Sequence, residues 1–162
     1  MFKTLLFLLL TFVAQPFLLA QNQEKELGDT IQFIIDEIKS LTDVRFDQDA
    51  VKLNFDNCNL EIHQTPIGES DRWNVYSFWL PHLDEKKMQL QGQDDGSWQL
   101  ILASASSKIQ REREKEIQYD KDTGSGYTTQ VVVYSSEKQP LIEIGQAIYY
   151  AILECKGLDR FR

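Results

Sequence analysis

Residues 50–63 read Ala50-Val-Lys-Leu-Asn-Phe-Asp-Asn-Cys-Asn-Leu-Glu-Ile-His63, with apolar side chains at every second position. Val51, Leu53 and Phe55 alternate with polar residues, and Cys58, Leu60 and Ile62 then do the same with the parity shifted. A period of two marks strands with one buried face. A two-residue turn at Asp56-Asn57 explains the shift: Phe55 then faces Cys58, Leu53 faces Leu60 and Val51 faces Ile62. A bulge in one long strand is the alternative.

Upstream the period is that of a helix. Leu27, Ile31, Ile34, Ile35, Ile38 and Leu41 recur at spacings of three and four, which puts them on one stripe. Asp29 and Gln32 suit an N-cap and its box partner, and Thr42-Asp43 ends the element. Downstream, Pro66 and Gly68 mark a loop. Residues 72–80 then carry apolar side chains on both faces, which suits a central strand, and Pro81 breaks it. Met88 and Leu90 begin a short strand that turns at Asp94-Asp95-Gly96, and Trp98, Leu100 and Leu102 continue beyond.

Segment 107–119 has the composition of a helix, but Ile109, Arg111, Arg113, Lys115, Ile117 and Tyr119 alternate with Gln and Glu. That pattern predicts a charged edge strand. A loop at 120–126 leads to a β-run from Tyr127 to Tyr134. The last element is a helix from Pro140 to about Lys156, stopped at Gly157. Leu141, Ile144, Ile148, Ile152 and Cys155 form one face; Ile142, Tyr149 and Leu153 make much of the rest apolar, which predicts deep cover. The order helix, about seven strands, helix predicts an α+β domain: an antiparallel meander, as a curled sheet or a barrel with pleckstrin-homology-like element order. That likeness carries no function.

Tyr76-Ser77-Phe78-Trp79-Leu80-Pro81-His82-Leu83-Asp84 fits an aromatic-Ser-x-x-Leu-x-x-Leu-Asp phrase, and Ala147 to Gly157 is an Ala-rich apolar helix closing on Cys155 and Gly157. In both phrases the chain resembles short exported proteins of Bacteroidetes-type bacteria that have no assigned activity. The resemblance implies a fold and an exported address, and no catalytic residue.

The N-terminus carries Lys3, an apolar run from Leu5 to Val13, and Ala20 before Gln21-Asn22-Gln23. Those are the parts of a cleavable signal peptide over 1–20, leaving a single domain over 21–162. Thr11, Gln15 and Pro16 interrupt the run, whereas an anchor needs about 20 uninterrupted apolar residues. The expected address is secreted or periplasmic, with no transmembrane anchor after cleavage. Of the 17 basic and 25 acidic residues, 1–20 contain only Lys3, so the mature chain has a net charge of −9. Such a chain repels phosphate backbones, which argues against nucleic acid.

The chemistry available is sparse. His63 and His82 are the only histidines, and both read as surface residues. Cys58 and His63, five apart on a strand, point to opposite faces. Asp120-x-Asp122-x-Gly124 lacks the third oxygen ligand and the terminal Glu of a calcium loop. Glu112, Glu114 and Glu116 interleave with cations as a solvated edge does. No catalytic residue, metal ligand or cofactor is assigned. Trp73, Trp79 and Trp98 remain as candidates for gripping a ligand, although tryptophans in strands usually belong to cores. Cys58 and Cys155 fall on core faces and are either a disulfide, which export permits, or two buried thiols.

The favoured function is a non-catalytic exported binding module with a protein, peptide or glycan partner in the cell envelope. The alternative is a small secreted or periplasmic hydrolase that uses a pair of carboxylates. The mature chain is expected to begin at Gln21, which the intact mass of the exported protein checks; a species retaining 1–20 in the membrane fraction would contradict it.

Overall fold

The computed structural model describes residues 25–53, 58–69, 73–104, 109–114 and 126–159. Helix α1 spans 25–40, and Leu27, Ile31, Ile34, Ile35, Ile38 and Leu41 are all buried, as their spacing requires. The helix begins ahead of Asp29, so the expected capping box is not formed. Gln32 instead donates to Asp36 one turn on, at 2.9 Å.

Eight strands and a second helix follow: β1 (Phe46–Lys52), β2 (Asn59–Pro66), β3 (Trp73–Trp79), β4 (Gln89–Gly92), β5 (Trp98–Ala103), β6 (Ile109–Glu114), β7 (Gly126–Thr128), β8 (Gln130–Ser135) and α2 (Lys138–Asp159). The class is α+β with antiparallel sheets and a helix at each end. It is neither a closed barrel nor one seven-stranded meander. β1, β2 and β3 adjoin in one sheet, which β6 and β7 extend, and β4, β5 and β8 form another.

The division begins at Pro81. The chain leaves β3 through two short 3-10 turns, Leu80–His82 and Glu85–Lys87. Leu80 and Leu83 are sunk in the core, and Asp84 caps the second turn by accepting the Lys86 N–H at 3.1 Å. β4 therefore starts in a new sheet, and β6 takes the edge of β3 that a meander would have given to β4. β3 is an interior strand, and it buries Val75 on one face and Tyr76 and Phe78 on the other.

Residues 109–114 are a strand, but β7 pairs with its far side, so it is not the expected edge. Residues 115–125 lie outside the described part, including the Asp120 to Gly124 loop. The predicted run from Tyr127 to Tyr134 is divided at Thr129 between the two sheets. The turn at Asp94-Asp95-Gly96 is as read: Gly96 has φ +85° and donates its N–H to Gln93 at 3.0 Å.

The β1–β2 register differs by one residue from the predicted pairing. Ala50 faces Ile62 and Lys52 faces Leu60, so Val51 and Leu53 are not on the buried face. Phe55 and the turn lie outside the described residues. The inward places on β1 belong to Gln48 and Ala50, and β8 supplies the reason. β5 satisfies one edge of β8, and the facing edge meets two glutamines. The Gln48 amide donates to the Tyr134 carbonyl at 2.6 Å, and its oxygen accepts the Tyr134 N–H at 2.9 Å. Gln64, opposite Gln48 in register, donates to Gln48 at 3.0 Å and to the Val132 carbonyl at 2.5 Å. Buried amides take the place of a neighbouring strand.

In α2, Leu141, Ile144, Ile148, Ala151, Ile152 and Cys155 are buried. Pro140 is the third helical residue rather than the first, where the missing N–H still costs no helical bond. The helix runs past Gly157 to Asp159. Gly145 packs over the second sheet, where a Cβ would meet a Leu100 methyl at 3.5 Å, an ordinary contact. Cys155 is bridged to Cys58, 97 positions away in sequence, with Cα atoms 5.8 Å apart. Closing a loop of that length restricts the unfolded chain by about 4–5 kcal/mol in the chain-entropy account. Next to the bridge, Lys156 pairs with Glu85 at 2.5 Å.

Gln64→Leu keeps the volume but strands the Val132 carbonyl, and it should lower stability by about 1–3 kcal/mol in urea unfolding. The hydrogen bond from Lys156 holds the Glu85 carboxyl below its ordinary value. A lowered carboxyl contributes stability above its unfolded pKa and loses it as pH falls through the folded one. Lys156→Met should therefore remove a small part of the acid-side slope of stability, under about 1 kcal/mol for a pair this exposed. Urea midpoints across the acid range check it, and identical slopes in the two proteins would contradict it.

Candidate functional site

The three tryptophans are not brought together. Trp73 and Trp79 stand at opposite ends of β3, about 20 Å apart along an extended strand. Trp98 begins β5 in the other sheet. Trp79 and Trp98 pack against the core; the Trp79 ring lies edge-on to His82 at 4.8 Å, and the Lys138 ammonium sits 4.7 Å from the Trp98 ring centre.

The nearest approach to a catalytic constellation lies on the outer face of β2 and β3. Glu61 is 2.6 Å from His63 Nε2 and accepts a hydrogen bond from Ser77 Oγ at 2.7 Å. A nucleophilic serine needs a base on its own hydroxyl, with the carboxylate behind that base. Here the carboxylate stands between hydroxyl and imidazole, so the histidine does not activate the serine. Among the described residues, no group of three or more His, Cys, Asp or Glu is placed to hold a metal ion.

Among the described residues, an open concave surface lies on α2. The deep cover expected all round this helix exists only on its core face. Tyr149, Tyr150 and Leu153 are 40%, 63% and 42% exposed, and Phe33 on α1 is 40% exposed. Two grooves flank them. One, of about 410 Å³, lies between α2 and the β4–β5 pair and is lined by Met88, Leu90, Leu100, Ile142 and Tyr149 among others. The second, of about 540 Å³, lies between α1 and α2, with Phe33, Ala147, Asp29 and Glu143 in its lining. Tyr150 borders both.

These surfaces suit contact rather than proton transfer. The first groove has no ionisable side chain in its lining except the tyrosine phenols. In the second, Asp29 and Glu143 are exposed, and Glu143 accepts a hydrogen bond from Gln139 at 2.8 Å. The signal that could have found the patch is the second apolar stripe of α2, Ile142, Tyr149 and Leu153, in excess of what one buried face needs.

No helix among the described residues is long and apolar enough to cross a membrane. Compared with protein-family models, with curated proteins and with solved structures, the chain finds no match in any of the three.

Proposed function

We propose that the mature chain is an exported, non-catalytic binding module that engages a protein partner through the open flank of α2. The observation that carries this is the aromatic and aliphatic surface of Tyr149, Tyr150 and Leu153, left uncovered beside the two grooves. A contiguous exposed apolar patch is a recurrent mark of an interaction surface. The apolar leader and the resemblance to exported proteins support a secreted or periplasmic address, and the Cys58–Cys155 bridge suits an oxidising compartment. A protein suits the surface better than a glycan, because the first groove offers few polar groups to fix sugar hydroxyls.

Leu153→Asp places a charge in the patch at an exposed position and should leave the fold within about 0.5 kcal/mol of its stability. Photo-crosslinking from position 150 in the native envelope should trap a partner, and the yield should fall at least tenfold with Leu153→Asp. Equal yields, or none from either protein, would overturn the reading. A hydrolase using Asp29 and Glu143 would instead lose an activity in Asp29→Asn or Glu143→Gln and keep the crosslink.

A further inference from the structure

The first groove does not end at side chains. It opens on β4, which among the described residues pairs only with β5 and has a second edge with no described strand beside it. The Gln93 N–H donates to the Ser97 carbonyl at 2.8 Å across the β4–β5 turn. Antiparallel alternation then directs the main chain of Gln91 and Gln89 at β5, and that of Leu90 and Gly92 at the open edge. The Gly92 carbonyl there meets only the long 3.3 Å bond from the Gln93 side chain. Gln89, Gln91 and Gly92 are exposed, so nothing described covers this edge.

We propose that this site takes an extended segment of a partner polypeptide, added antiparallel to β4 as a fourth strand of the second sheet, with its inward side chains in the groove against α2. The proposal rests on the binding role given above and names its ligand class. Three observations select a peptide strand over another apolar ligand.

The first is chemical. Alternating N–H and C=O groups at strand spacing are matched by another peptide backbone, which is the basis of strand-addition recognition. The second is placement. A residue opposite Leu90 shares its face, so its side chain enters the space between Leu90, Ile142 and Tyr149. The third is charge. Lys86 and Lys87 are exposed before β4, with Lys87 also paired to Asp84 at 3.4 Å, and Asp94 and Asp95 are exposed after it, with Asp95 also accepting from Ser97 at 2.6 Å. An antiparallel peptide with basic residues first and acidic residues last meets opposite charge at both ends, and its own termini add to the match.

The test uses the oxidised chain 21–162 as bait for a displayed library of random peptides about a dozen residues long, roughly the span that covers β4 and both charged flanks. Enriched sequences should alternate apolar and polar residues between a basic start and an acidic end. Methylating the amide nitrogens that face Leu90 should weaken such a peptide at least tenfold, because it removes main-chain donors and keeps the side chains. Gly92→Pro removes an outward N–H at an edge position and should have the same effect; circular dichroism and intact mass check its fold and its bridge. Enriched peptides that tolerate both changes would overturn strand addition and leave the binding role standing. A library that enriches nothing would also overturn the inference, while the crosslinking comparison at position 150 judges the wider role separately.

Discussion

The main chain of β8 has hydrogen-bonding groups on both edges, and β5 can satisfy only one of them. An edge buried without partners would cost about 1–3 kcal/mol for each stranded group, and several stand in a row. Gln48 and Gln64 meet this demand with their side chains, at Tyr134 and Val132. The first sheet must therefore bring the inner face of β1 and β2 against the edge of β8, in the one register that aims both amides at it. Neighbouring contacts follow from that approach. Phe46 stacks on Tyr134 with ring centres 5.1 Å apart, and Arg45 lies over the same ring at 4.4 Å while holding Asp43 at 3.1 Å.

The same approach decides where α2 starts. β8 leads directly into Ser135 and Ser136. The Ser136 N–H donates to the Thr42 carbonyl at 2.8 Å, just beyond the end of α1, and the two hydroxyls lie 2.9 Å apart. The Cys58–Cys155 bridge and the Lys156–Glu85 pair hold the other end. Helix α2 is thus tied at one end to the segment after α1 and at the other to the residues that precede β2 and β4, with its core face buried between those ties.

Periodicity made some of this legible and hid the rest for one physical reason. Both helical stripes, β2, β3 and the Asp94 turn could be read because their buried residues are apolar and recur at the period of the element. β1 could not be read to the right register, because its inward residues include Gln48. A pattern that assumes polar means outward moves the whole strand by one place. The partner of each strand was hidden too. Nothing local to 127–134 says that Thr129 changes sheets, and nothing in β3 says that β6 rather than β4 will lie beside it. Those outcomes depend on where Leu80 and Leu83 sink after Pro81. The tryptophans drew notice as candidate ligand contacts, yet Trp79 and Trp98 pack against the core. The tyrosines of α2 drew none, since an apolar residue left exposed looks in sequence like one kept for the core.

That ambiguity resolves once the ties on α2 are considered together with its exposure. A surface helix held only by its own propensity would lose freedom when a partner ordered it, and that loss subtracts from affinity. Here the disulfide, the Thr42–Ser136 contacts and the buried stripe have already fixed the helix, so its outer flank is presented in one geometry. Its exposed tyrosines stand beside the edge of β4 that no described strand covers, on a helix held in one geometry. Among the described residues, Asp29 and Glu143 stand on an open surface, whereas the interior is almost wholly apolar. The few polar groups buried there are largely committed: Gln48 and Gln64 to the edge of β8, and Asp43 and Ser97 to Arg45.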